Sequence, residues 1–234
     1  MKTLAFASLF LCGFMHLVYS QSSGAAATPP PLPPGPLLNP APGYSQWTVI
    51  IQQRSGAPTA TRPEDKEAKK IPQKLITVTK TGNVRKEDET DETGTKSQSW
   101  TLGEYTVTFR QGSRIPTVAI GSAAKSDSAK TDFPGFEWIS AKNYTRIEKV
   151  LGRDCIIFRG QSGGTADQPS YAAVASVDAE TKLPVSLVVG EETRIYQFAQ
   201  APQAMLVPPA NVQESIKSWQ SHIQEAARSR PRPY

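Results

Sequence analysis

Apolar and polar residues alternate along much of this chain with the period of two that is typical of β-strands. The clearest case is YTVTFR at residues 105–110, where Tyr105, Val107 and Phe109 share one face and two threonines and an arginine share the other. The same pattern predicts eight further strands, at residues 46–53, 74–81, 114–120, 144–151, 153–159, 171–177, 184–189 and 194–199. Most gaps between them are short and contain turn residues, so we expect neighbouring strands to pair as antiparallel hairpins.

A change to helical spacing near the C-terminus predicts one amphipathic helix. Pro208 and Pro209 end the preceding segment, and Asn211 with Glu214 three residues later fits a capping box. The apolar stripe that follows is Val212, Ile216, Trp219, Ile223 and Ala227. Such a stripe can contact a membrane or a partner, but its commoner role is to cover an open sheet, and we expect that role here. A short charged helix is also expected at residues 63–70.

The first twenty residues have the features of an export signal. Lys2 gives a short positive start, residues 4–19 are apolar, and Val18 and Ser20 fit the positions before a cleavage site. The apolar run is shorter than the ~20 residues that span a bilayer, so we expect no transmembrane span. The protein is therefore predicted to be extracytoplasmic, either periplasmic or secreted, after cleavage near Ser20.

The segment that follows, residues 21–43, is rich in proline. Proline fixes φ and has no N–H group, so this segment is predicted to be an extended linker outside the fold. Residues 44–227 are long enough for a single β-rich domain that includes the C-terminal helix. Residues 228–234, which we call the basic tail, are predicted to be disordered.

The net charge is mildly positive. The chain has 26 basic and 21 acidic residues and a formal net charge of +5, and loss of Lys2 with the signal leaves 25 against 21. Three arginines of the basic tail, Arg228, Arg230 and Arg232, account for much of this excess. A short solvated end of this kind does not make a nucleic-acid interface, so we predict no nucleic-acid binding.

Side chains that enzymes commonly use are scarce. After the first twenty residues there is one histidine, His222, and one cysteine, Cys155. Cys155 lies in an apolar strand and is predicted to be buried and unpaired. The sequence GQSGG at residues 160–164 lacks the lysine of a phosphate loop and the register of a nucleophile elbow, and we interpret it as a loop. We therefore predict no enzyme activity, no metal and no cofactor.

Other polar motifs have simple explanations. Two carboxylate pairs, Asp178 with Glu180 and Asp132 with Glu137, are interpreted as turn residues, because nothing in their spacing holds them across a cleft as an acid and a base. Asn143 begins a match to the glycosylation acceptor sequence.

Aromatic residues cluster in DFPGFEWI at residues 132–139, which we call the aromatic segment. Its three large rings are Phe133, Phe136 and Trp138. Proline and glycine make this segment too irregular for an ordinary strand. It is predicted to be either a flap over a hollow or a loop that plugs one end of the sheet.

The order of features from residue 144 to residue 209 carries a resemblance. A strand ends in Asp178, a turn contains TKLP at residues 181–184, and the next hairpin leads to a Pro-containing exit at residues 207–209. This order resembles the C-terminal half of the outer-membrane lipoprotein carriers. The resemblance implies a mostly β fold with α (α+β), in which a curved antiparallel sheet, a half-barrel, is covered by one or more helices including the C-terminal one. In that family the hollow accepts acyl chains, so a lipid or acyl ligand is implied.

Two hypotheses follow for the function. The leading one is an exported non-enzymatic protein that binds a hydrophobic or lipid-like ligand in a cavity lined by Phe136, Trp138 and Trp219. The alternative is a structural or protein-interaction module of the cell envelope, with an envelope protein as partner and a packed interior. A continuous cavity lined by these three residues favours the first hypothesis, and a packed interior favours the second.

Overall fold

Strands dominate the computed structural model, which describes residues 30–53, 73–121, 129–165 and 168–228. Eleven strands form one curved, half-barrel-like antiparallel sheet that does not close, so the predicted fold class is confirmed. The strands are β1 (Tyr44–Gln53), β2 (Gln73–Thr81), β3 (Val84–Thr90), β4 (Lys96–Leu102), β5 (Tyr105–Arg110), β6 (Thr117–Ile120), β7 (Tyr144–Val150), β8 (Arg153–Thr165), β9 (Gln168–Asp178), β10 (Pro184–Val189) and β11 (Glu192–Ala199). The helices are the single turn α1 (Ala129–Asp132), a 3₁₀ turn at Ala141–Asn143, and α2 (Ala210–Arg228).

Two meanders meet in the middle of this sheet. The strand order is β6-β5-β4-β3-β2-β1-β11-β10-β9-β8-β7, so every paired couple is consecutive along the chain except β1 with β11, and β6 and β7 are the two edge strands. In that central pair Trp47 lies opposite Phe198. The expectation of sequential hairpins is confirmed, and one long-range pairing joins the two halves.

The structure corrects the sequence prediction at two strands and one loop. All nine predicted strands are present, with β6 shorter than expected, but β3 and β4 were missed. In β3 opposite charges two residues apart pair on each face: Arg85 with Glu87 at 2.7 Å and Lys86 with Asp88 at 2.7 Å. The GQSGG sequence is also not a loop, because it continues β8 and pairs with β9, with Gly160 opposite Ala173.

Residues that are directly paired in an antiparallel sheet point to the same side, so the register defines two faces. Face A carries Trp47 and Phe198, and face B carries Thr81 and Tyr105. The main core lies on face A of the central strands and of β8 to β10. Its buried residues are Ala41, Trp47, Val49, Val78, Phe133, Phe136, Ile156, Phe158, Ala175, Val177, Leu187 and Tyr196.

A second core lies on face B, under α2. Trp100 and Val107 are buried there together with Val212 of the helix, and Ile216 packs against them. The prediction that the apolar stripe of α2 covers the sheet is therefore confirmed from Val212 to Trp219, whose ring contacts that of Tyr105. The helix begins at Ala210, so Asn211 lies in its first turn and not in the capping position before it.

The described part of the Pro-rich segment, residues 30–43, is a strap that packs on face A. Leu32, Leu37 and Leu38 pack against the main core. The Asn39 backbone N–H donates to the Lys182 carbonyl at 2.8 Å. The prediction of a linker outside the fold is wrong for this part, because its leucines bury apolar surface and its backbone finds partners.

Several predictions fall on residues outside the described ranges. These are the export signal, residues 21–29, the helix at residues 63–70 and the basic tail beyond Arg228. Within the described ranges, no helix is both long enough and apolar enough to cross a membrane.

Candidate functional site

The aromatic segment fills the apolar part of face A. Phe133 is completely buried, with its ring centroid 5.5 Å from that of Trp47 and 6.0 Å from that of Phe198. Phe136 is also buried and lies 5.6 Å from Tyr196. These contacts are edge-to-face, the arrangement that aromatic quadrupoles prefer. Of the two predicted roles, the segment therefore has that of a plug.

Trp138 is held at the edge of this plug. Its indole N–H donates to the Gly135 carbonyl at 2.9 Å. On the sheet side, the ring lies so close to Gly160 that a Cβ atom there would be 2.7 Å from Trp138 Cε3 and 2.9 Å from Asn143 Nδ2. Glycine at residue 160 is therefore what allows the Trp138 ring to lie this close to β8.

We predict that Gly160→Ala lowers the free energy of unfolding by about 1 to 3 kcal/mol, because the added methyl group must displace the Trp138 ring. Chemical denaturation measures the loss. Gly43→Ala is the matched control, because a Cβ atom at Gly43 meets nothing within 4 Å and its φ is not positive. Equal midpoints for the two variants would contradict the close contact.

The three candidate ligand residues do not share one cavity. Phe136 and Trp138 belong to the main core on face A. Trp219 packs on face B, where its ring lies 6.1 Å from that of Tyr105 and the neighbouring Gln220 amide donates to the Tyr105 hydroxyl at 3.1 Å. The sheet separates them, because α2 covers the opposite face from the plug. Sequence periodicity shows that α2 has an apolar stripe but not which face receives it.

Two cavities in the described part of the chain are lined mainly by polar and charged residues. One of about 580 Å³ lies beside the plug, where face A becomes polar between β2 and β5. Its lining includes Lys80, Arg85, Glu87, Thr101, Thr106 and Asp132. A second, of about 710 Å³, lies at the opposite ends of β3 to β5 and is lined by residues such as Asp88, Lys96 and Arg110. Phe136, Trp138 and Trp219 line neither of them.

A buried network of ion pairs and hydrogen bonds around Asp132 links the plug, the strap and the sheet. Lys80 Nζ lies 3.0 Å from Asp132 Oδ2, and both side chains are almost fully buried, at 6% and 2% exposure. The same carboxylate accepts the Ala41 backbone N–H at 2.9 Å and lies 3.6 Å from Arg85 Nη1. The Arg85 guanidinium also lies over the Trp47 ring, 5.5 Å from its centroid. Asp132 is thus the centre of a network, which the interpretation as a turn residue missed.

The other carboxylates singled out in the sequence do stabilise turns. Asp178 Oδ1 accepts the N–H groups of Glu180 at 3.0 Å and Thr181 at 2.8 Å. Burial raises the pKa of Asp178, but the hydrogen bonds from Thr181 and Glu180 and the charge of Arg153 outweigh it, so the pKa is lowered. Glu137 accepts the Gly135 N–H with both carboxylate oxygens. Neither carboxylate is arranged as an acid or base across a cleft.

Cys155 is fully buried, as predicted. Burial, with a smaller contribution from the Asp178 charge, raises the pKa of its thiol to about 11. The thiol is therefore protonated at neutral pH and is a poor nucleophile. His222, on the outer part of α2, is exposed. The Asn143 side chain is half-buried and donates to the Arg159 carbonyl at 3.3 Å.

The raised pKa predicts a loss of stability in alkali. The unfolded thiol ionises near its ordinary pKa of 9 and the folded thiol near 11, so Cys155 contributes its full stability below pH 9 and loses it progressively as the pH rises through 11. Chemical denaturation between pH 8 and 11 measures this loss. Cys155→Ala is expected to lose less stability over that interval, and an identical slope for both proteins would contradict the raised pKa.

Comparison with known proteins gives similarity of structure alone. No family model matches the chain, and no curated protein matches it either. It is similar to the lipoprotein LppX of Mycobacterium tuberculosis, with 10% identity over 71% of this chain and 91% of that chain and a TM-score of 0.38. It is also similar to a DUF1329 family protein from Desulfovibrio piger, with 12% identity over 70% and 86% of the two chains and a TM-score of 0.30. Both alignments extend beyond the C-terminal half, to which the sequence resemblance was confined.

Proposed function

We propose that this protein is an exported, non-enzymatic interaction module of the cell envelope, whose interior is filled by its own side chains. The observation that carries the proposal is the double cover of face A by the strap and the plug. Phe133 and Phe136 are buried against the sheet, and leucines of the strap pack beside them. With the apolar face occupied in this way, the surface of the domain is what remains for contact with a partner.

The chemistry of the polar residues supports a role without catalysis. Cys155 is buried and protonated, the Asp132 carboxylate is paired with Lys80, and Asp178 and Glu137 accept hydrogen bonds within turns. A catalytic site needs a nucleophile or base that is accessible in a cleft. Among the described side chains, no group of three or more His, Cys, Asp and Glu residues could hold a metal ion.

Binding of a hydrophobic ligand is the second candidate, and the construction of the cover favours it. The apolar surface belongs to the sheet, where Trp47, Leu187 and Tyr196 lie on face A. Its cover, the strap and the plug, comes from two segments outside the strands. An acyl chain could occupy this surface in place of the plug. Phe136 and Trp138 would then contact the ligand, and Trp219 would not, because it lies on face B.

Native mass spectrometry tests the two candidates. The chain from residue 21 onward, which retains the strap, is purified without detergent, and its mass is measured before and after incubation with palmitate. The proposed module gives a bare protein mass in both states. A stoichiometric adduct that is lost in Trp138→Glu but kept in Trp219→Glu, with both variants folded, would overturn the packed interior and establish a ligand site on face A.

A further inference from the structure

Exposed apolar side chains gather at one end of face B. Nine large apolar residues are exposed among the described residues: Tyr44, Leu75, Ile115, Ile120, Leu151, Tyr171, Met205, Val207 and Ile223. Five of them belong to this one end, as the strand register and the packing of two segments show. They are Tyr44, Ile120, Met205, Val207 and Ile223, which we call the apolar end.

The register places Tyr44 and Ile120 in a single row across the first meander. The row consists of directly paired residues, namely Tyr44, Thr81, Val84, Leu102, Tyr105 and Ile120. Six adjacent strands are about 24 Å wide, at ~4.8 Å for each of the five spacings. Tyr44 and Ile120, at the two ends of this row, are 46% and 53% exposed.

Two further segments cross the same row on face B. The Leu206 backbone N–H donates to Thr81 Oγ1 at 2.9 Å, which places Met205 and Val207 beside the row with their side chains exposed. Trp219 of α2 packs against Tyr105, and Ile223 follows one helical turn later. The exposed apolar residues therefore form a broad band and not scattered single positions, and a band of this kind marks an interaction surface.

Positive charge adjoins the apolar end. Beyond Gln220 the described side chains of α2 are exposed, so the helix extends past the part of its stripe that packs on the sheet. Residues 217–234 contain Lys217, Arg228, Arg230 and Arg232 but a single acidic residue, Glu225. In the described part of the chain, Arg228 lies five residues after the apolar Ile223 on the same helix, and the sequence that follows adds two more arginines.

We propose that the apolar end and the C-terminal basic residues dock on the surface of an anionic lipid bilayer. The apolar side chains would enter the headgroup region, and the arginines would lie at the level of the lipid phosphates. Charge complementarity favours this partner, because the basic residues would pair with the lipid phosphates. An apolar band or a short basic run alone gives only weak membrane binding, whereas the two signals together give stable binding. The inference rests on the proposed role as an envelope interaction module and names the partner.

Co-sedimentation with vesicles tests the inference. The chain from residue 21 to residue 234 is mixed with vesicles of phosphatidylcholine alone, or with 30% phosphatidylglycerol, at low and at high salt. We expect binding to the anionic vesicles at low salt, and weaker binding to neutral vesicles or at high salt. The triple variant Arg228→Glu, Arg230→Glu, Arg232→Glu should bind at least about tenfold more weakly, and Ile223→Asp should also bind less.

Matched control variants carry the same substitutions elsewhere on the molecule. Ile115→Asp changes an exposed isoleucine at the opposite end of the β5–β6 hairpin. The triple variant Arg114→Glu, Lys142→Glu, Lys149→Glu makes the same change in net charge at exposed positions away from the apolar end. Both controls should bind the anionic vesicles as the unaltered chain does, and circular dichroism checks that every variant is folded.

Three results would overturn the inference: no binding to anionic vesicles at low salt, unchanged binding of the variants at the apolar end and in the tail, or an equal loss in the controls. The first result would direct the search to a protein partner for the same surface. Mass spectrometry separates this failure from that of the proposed function. If the protein shows a bare mass and does not bind vesicles, the proposal of a packed module stands and only the lipid bilayer as its partner is rejected.

Discussion

Phe133→Ala is expected to lower the free energy of unfolding by about 3 to 5 kcal/mol, the range for a large aromatic side chain truncated in a packed core. Phe133 is completely buried and contacts Trp47, Tyr196 and Phe198, so its removal leaves a void lined by three rings. Urea denaturation measures the change, with an unaltered slope as evidence that the variant remains folded. A smaller loss would show that the strap and the plug close over the void.

Tyr171→Ala is the control for this truncation, because Tyr171 is about half exposed. It should lose no more than about 1 kcal/mol. The same pair of variants bears on the function. If the sheet face beneath the plug can hold an apolar molecule, Phe133→Ala should take up a hydrophobic dye that the unaltered protein and Tyr171→Ala exclude.

Asp132→Ala is expected to cost about as much, 3 to 5 kcal/mol, because it leaves the Lys80 ammonium buried without its counter-ion. It also removes the acceptor for the Ala41 N–H, and with it one bond that holds the strap. Replacing both partners, Lys80→Met with Asp132→Leu, should restore part of this loss, since the two charges of the buried pair are then both absent. The Ala41 N–H and Arg85 still lose the carboxylate in the double variant, so the recovery is not complete. A denaturant series on the two single variants and the double variant measures the coupling.

An exposed ion pair provides the comparison. Lys149 lies 3.6 Å from Asp154, and these side chains are 75% and 65% exposed. Lys149→Ala should change the free energy of unfolding by no more than about 1 kcal/mol, because water already screens the pair. Should Asp132→Ala cost equally little, the Lys80 ammonium must reach water in the variant, and the network would not anchor the strap.

The strands that sequence alone revealed are those with one apolar and one polar face, such as β5, or with apolar residues on both faces, such as β8 around Cys155. The two missed strands, β3 and β4, lack this contrast. In β3 charged residues occupy both faces, and pairs such as Arg85 with Glu87 stabilise the strand without apolar alternation. The reason is structural: face A is polar at this point and lines a cavity. The local sequence of β3 does not indicate that its residues line a polar cavity.

The strap and the position of α2 depended on long-range packing. The leucines at 32, 37 and 38 were a usable signal, because a solvated linker has no need of them. The choice of face by α2 had no such local signal. It follows from the strand register that places Trp100 beside Val107 and from the packing of Val212 on this pair, and no single segment contains all three residues. For the same reason the sequence did not show that Trp219 lies on the opposite face of the sheet from Phe136 and Trp138.

The pairing of the first strand with the last has a consequence for the order of folding. Trp47 and Phe198 are neighbours in the sheet but about 150 positions apart in the chain. The hairpins of each meander can form locally, whereas the central seam must wait until the whole domain has been synthesised. Until then β1 presents an unpaired edge and an apolar face. We therefore expect slow folding with an aggregation-prone intermediate, and a dependence on chaperones that the finished domain no longer shows.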